Sequence, residues 1–143
     1  MLNGVKMNNL LLDTHILIWL MNDDKELSES NKELLRSTAK TGLLMISAMT
    51  IWEISMLEVK KRIVLIQPIF EWVNKVLFLP YMKIIDVNYK IAIEANNLPS
   101  NFHDDPVDRI IVATSRITNI PLITRDKKII SYSKNLFLKV IEG

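Results

Sequence analysis

Short, almost uncharged apolar runs alternate along this chain with longer segments whose apolar residues recur three and four positions apart. The first kind of segment reads as buried strand and the second as amphipathic helix. Their alternation predicts an α/β fold with a parallel sheet. Strands are expected over Leu10–Leu12, Leu43–Ser47, Lys83–Val87, Pro121–Thr124 and Leu136–Ile141. Helices are expected from Thr14 to Met21, from a Ser30/Glu33 capping box to Lys40, from Met49 to Lys61 and from Pro68 to Leu79. Others follow from an Asn88 cap to Asn97 and from Asp105-Pro106 to Asn119, with a short helical turn over Asp126–Ser131. Gly42 suits the turn before the second strand.

The apolar runs contain isolated acids. Between Met7 and Asn22 the only formal charge is Asp13, and between Thr41 and Leu57 it is Glu53. In DDPVDRIIVATS, Asp108 shares a helical face with Ile111, Val112 and Ser115. A bare carboxylate costs several kcal/mol to desolvate, so these acids need a proton or a partner. Loops at the carboxyl ends of parallel strands converge on one edge of the sheet, where ligands bind. Asp13, Glu53, Asp108 and Asp126 all lie just beyond strands or in the first turns of helices, so they are expected in one crevice. A shared divalent cation accounts for them together, and oxygen-only donors select Mg²⁺ or Mn²⁺ over zinc.

Each acid also has a plainer reading. Asp13 suits an N-cap of the helix from Thr14, Glu53 a surface position beside an apolar stripe, Asp108 a capping-box partner of Asp105, and Asp126 a simple turn. Asp105, followed by Pro106, is an apt N-cap and a less certain ligand. Thr14, Ser47 and Thr124 place hydroxyls at strand ends, where they would orient carboxylates or metal-bound water. His15 is read as packing and His103 as a solvent-exposed loop residue or an RNA contact. Trp19, Trp52 and Trp72 are read as core or interface.

Size and composition narrow the classes. The 143 residues suit a single domain, able to bury roughly 68–70% of the surface of the unfolded chain. There is no cysteine, which excludes disulfides and thiolate chemistry and suits a reducing cytoplasm. The apolar fraction is 49% and the mean hydropathy +0.17, which points to surface buried against a partner. Leu10–Met21 is too short and too interrupted to span a membrane. A net charge of +2 permits nucleic-acid binding without requiring it.

LLLDTHILIWL, ISAMTIWEIS, HDDPVDRIIVATS and PLITRD, in this order and spacing, resemble the PIN domain, and within it the VapC-type toxins of bacterial toxin–antitoxin pairs. The likeness covers nearly the whole chain. It implies a three-layer sandwich with a central parallel sheet of about five strands, in one domain over 1–143. It also implies a Mg²⁺- or Mn²⁺-dependent endoribonuclease leaving 5′-phosphate and 3′-hydroxyl ends. The family's four acids match Asp13, Glu53, Asp108 and Asp126, and Asp105 matches the extra acid of a DPFDR subgroup, with Val107 in place of the aromatic. A homodimer and inhibition by a small antitoxin are implied too. Met1–Lys6 extend beyond the family's usual start, so they are expected to be disordered, with Met7 a second initiator.

Two other classes share the acidic crevice. A receiver-type signalling domain needs paired acids after the first strand, a phosphoacceptor after the third and a lysine after the last. Here Asp13 stands alone, and Asp86 and Lys139 are expected inside their strands. A PIN-like RNA-binding module without catalysis would lack acids, whereas all four are present.

Overall fold

A computed structural model describes residues 9–135 and 138–143. Met1–Lys6, expected to be disordered, and Leu136, the expected start of the last strand, lie outside these residues, as does Phe137. The elements follow as β1 (Leu10–Leu12), α1 (Thr14–Met21), α2 (Glu29–Thr41), β2 (Leu44–Ser47), α3 (Ala48–Val59) and α4 (Ile69–Phe78). After these come β3 (Met82–Ile85), α5 (Tyr89–Asn96), α6 (Pro106–Thr118), β4 (Leu122–Thr124), α7 (Lys127–Ser133) and β5 (Val140–Glu142).

All strand pairs are parallel, in the order β3-β2-β1-β4-β5. Strand side chains alternate between the two faces of the sheet, and the core divides accordingly. Leu10, Leu12, Leu44, Ile46 and Ile123 pack with residues of α1, α2, α3 and α4. Leu11, Leu122, Met45 and Val140 pack with residues of α5, α6 and α7. The result is helix, sheet, helix, as the motifs imply. Each fully buried Leu or Ile on these faces contributes about 1.5–3 kcal/mol of transfer free energy.

Local chemistry sets the boundaries, and several differ from the sequence reading. α2 is capped by Ser28, whose hydroxyl accepts from Asn31 N at 3.2 Å, and not by Ser30. Glu33 pairs with Arg36 and closes no capping box. α3 stops at Val59 because Lys61 takes a left-handed φ of 58°. β3 begins at Met82 and ends at Ile85, so Asp86 lies beyond it. β5 begins at Val140, so Lys139 precedes it. Asn88 caps α5 through Ile91 N, and Asn119 ends α6 in the left-handed conformation that Asn tolerates.

This topology positions the site. The chain runs outward from β1 through β2 to β3 on one side and returns on the other side with β4. The sequence order therefore reverses at β1 and β4, and a crevice opens beyond their carboxyl ends.

Candidate active site

Asp13 ends β1 and caps α1, so its local and its functional readings coexist. Its Oδ1 accepts from Thr14 N at 2.8 Å and its Oδ2 from the Thr124 hydroxyl at 2.5 Å. Thr124 ends β4, and its hydroxyl also accepts from Asp126 N at 3.0 Å. One side chain thus joins the ends of the two central strands and fixes the direction of Asp13. Asp13 is buried, and desolvation pushes its carboxyl above the usual range. The Thr124 and Thr14 bonds oppose that rise and the Asp126 charge adds to it.

Asp126 caps α7 through Lys128 N (2.8 Å) and Ile129 N (3.1 Å). Asp105 caps α6 through Val107 N (2.9 Å) and Asp108 N (3.4 Å). Both face an open cleft of about 350 Å³ that Asp13, Glu53 and Asp108 also line. The structure therefore gathers all five acids singled out in the sequence. Burial is the main cause that raises Asp108, to about 8, followed by the charges of Asp13, Asp105, Asp126 and Glu53. Glu53 is raised mainly by desolvation, against the nearby Thr14 hydroxyl, which also bonds Thr50 at 3.3 Å. Ser47 differs from Thr14 and Thr124. Its hydroxyl caps α3 by accepting from Met49 N at 3.0 Å, and no bond joins it to an acid among the described residues.

Three neighbours of the acids were assigned elsewhere from the sequence. His15, read as packing, is exposed and lines the cleft, with its ring 5.9 Å from that of Trp19. Trp19 lines the cleft as well, beneath the Arg125 guanidinium at 5.1 Å. His103, read as a solvent-exposed loop residue, is mostly shielded, with Nε2 3.1 Å from Asp108 Oδ2. Ligand atoms of His103, Asp108 and Asp126 lie within 4.8 Å of one another, and no other His or acid trio among the described residues comes so close. No sequence signal marks these contacts, since a loop and a turn of helix bring them together. Trp72 is core, as expected, and Trp52 is 55% exposed.

The donors fit a hard divalent cation. They are carboxylate oxygens, with Asp13 buried and Glu53, Asp108 and Asp126 half-buried, and burial together with mutual repulsion holds a proton on Asp108 near neutral pH. A cation would release that proton and remove the repulsion.

The PIN domain family model matches residues 10–135. The chain belongs to the PIN domain family. Among relatives of this PIN domain is "Ribonuclease VapC22" of Mycobacterium tuberculosis (strain ATCC 25618 / H37Rv), 27% identical over 126 residues, spanning 88% of this chain and 93% of that protein. A toxin–antitoxin complex from Klebsiella pneumoniae aligns with a TM-score of 0.63 at 25% identity, covering 93% of this chain and 96% of that one. VapBC2 from Rickettsia felis, bound to a promoter DNA fragment, aligns at 0.69 and 19%, covering 94% and 98%. The five-stranded parallel fold expected from the motifs is thus the fold observed. The receiver alternative fails on topology. Asp86 follows β3, two strands away from β1, and it is exposed and does not line the cleft.

Proposed function

We propose that this PIN domain is a metal-dependent endoribonuclease and the toxin of a toxin–antitoxin pair. The observation that carries the reading is the convergence of Asp13, Glu53, Asp105, Asp108 and Asp126 on one cleft, where Asp108 keeps its proton to about 8. Such an arrangement repels an RNA phosphate unless its charge is compensated.

Asp13, Glu53, Asp108 and Asp126 would hold Mg²⁺ or Mn²⁺, with Asp105 divided between capping α6 and ligation. The bound ion would lower the pKa of its water and neutralise charge on the scissile phosphate. Thr124 keeps Asp13 aimed into the cleft by its bond to Oδ2. Glu53, which also lines the cleft, would position the attacking water and accept its proton. Water oxygen bonds to phosphorus, the bond to the 3′-oxygen breaks, and that oxygen takes up a proton from solvent. The products carry 5′-phosphate and 3′-hydroxyl ends. By kinship with the toxins above, the partners are a small cognate antitoxin and a second copy of the chain. Among the described residues no helix is long and apolar enough to cross a membrane.

Purified protein incubated with RNA should cleave it with Mg²⁺ or Mn²⁺ and stop with chelator. Asp13→Asn and Asp108→Asn should abolish cleavage while circular dichroism stays native. Cleavage by both variants at the wild-type rate would defeat the assignment.

A further inference from the structure

We infer that His103 is a positioning residue of this site, its Nε2–H holding the Asp108 carboxylate in the orientation a divalent cation requires. The inference rests on the ribonuclease reading and extends it to a residue outside the acid set.

His103 Nε2 is buried, lies 3.1 Å from Asp108 Oδ2 and has no aligned hydrogen-bond partner. The other ring nitrogen decides which tautomer the ring takes. Nδ1 accepts from Asp105 N at 3.4 Å, and a neutral imidazole that accepts there carries its proton on Nε2. A protonated Nε2 donates and cannot ligate, so His103 acts on the carboxylate and not on the ion. A small rotation of the Asp108 carboxylate toward a ligand would align the bond.

The ring is held in place from several sides. It lies tilted against the ring of Phe102, with centroids 4.4 Å apart, and Phe102 lies tilted against Tyr132 at 4.9 Å. Arg109 Nη1 donates to the carbonyls of Phe102 and His103 at 2.9 and 3.0 Å, and its Nε donates to Ala95 O at 2.8 Å. The loop that carries His103 is therefore tied to α5 and α6, and the histidine meets the carboxylate with little freedom left to lose. Partners of this kind orient a metal's ligands, and their loss weakens metal binding by about 10- to 100-fold.

Amide isosteres test the role. Glutamine places its side-chain nitrogen near the position of Nε2, and asparagine near that of Nδ1. Mn²⁺ is titrated into the full chain, with free ion followed by electron paramagnetic resonance, for wild type, His103→Gln, His103→Asn and His103→Ala. Glutamine should stay near wild type, whereas asparagine and alanine should bind Mn²⁺ about 10- to 100-fold more weakly. Urea midpoints of the two amide variants identify any difference that comes from folding alone. Equal Mn²⁺ affinity of those two variants, or wild-type affinity in His103→Ala, overturns the inference. So does an electron spin-echo signal from a directly bound imidazole nitrogen. Wild-type protein that neither binds Mn²⁺ nor cleaves RNA overturns the ribonuclease reading as well. Cleavage that is intact and insensitive to His103 overturns the histidine's role alone.

Discussion

Asp108 ties the stability of the metal-free protein to pH. The unfolded chain releases this proton near 3.8, whereas the folded chain keeps it to about 8. Across that window the native state binds a proton that the unfolded state has lost, so stability falls as pH rises. The contribution is complete below the unfolded value and gone above the folded one, and Asp13 and Glu53 are shifted in the same direction. In chelator, calorimetry should therefore give wild type a higher melting temperature at about pH 5 than at about pH 8. Asp108→Asn should shrink that difference and raise the melting temperature at the alkaline end. A variant with the wild-type slope would show that another group sets it. Asp13, Glu53 and Asp108 were legible in the sequence because each is a lone acid in an apolar run or on an apolar helical face. His103 was not legible, because the two acids that follow it make its loop look solvated. Its contact with Asp108 depends on an Arg109 clamp that no periodicity encodes.

Elements were read from periodicity, and their ends from caps, with unequal success. Asn88, Asp105 and Asn119 sit where a cap is needed and act as caps. Ser28 and Ser30 are two residues apart, and either hydroxyl could begin α2. The choice falls to Ser28, whose extended backbone turns its hydroxyl onto Asn31 N, while buried Leu27 anchors the approach. Ser30 lies inside the first turn, with its hydroxyl 3.2 Å from that of Ser28. Spacing alone cannot separate two such candidates, because the deciding quantity is the backbone angle before the helix. Ser28→Ala should lower unfolding stability by about 1 kcal/mol in urea titrations. Ser30→Ala should stay within about 0.5 kcal/mol of wild type. The reverse ranking would restore the capping box at Ser30. Similar local geometry shortens α3, where the positive φ at Lys61 ends a pattern that reads as helical through that residue.

At the scale of the molecule, a net charge of +2 conceals a strong separation of charge. Five acids and one cation, Arg125, line the cleft, so further cations must supply the attraction for RNA. The folded structure sorts the basic residues. Arg109 is spent on backbone carbonyls, Arg116 pairs with Glu94 at 2.6 Å and Arg125 with Glu26 at 2.9 Å. Lys60, Lys61, Arg62, Lys127 and Lys128 are exposed. Lys127 and Lys128 directly follow Asp126, and they line a second cleft of about 380 Å³ that shares His103 with the acid cluster. A strand whose phosphate sits among the acids would pass these two lysines first. Single-stranded RNA binding to an Asp108→Asn background can be followed by fluorescence anisotropy across a range of salt. Adding Lys127→Gln and Lys128→Gln should weaken binding at low salt and flatten the log–log salt dependence by about 1.4, at about 0.7 for each lost phosphate contact. The same pair of changes at Lys60 and Lys61 should do less, since those side chains lie beyond the end of α3 and line neither cleft. Equal losses from the two pairs would mean that RNA is held by diffuse charge. A loss confined to Lys60 and Lys61 would place the strand along α3.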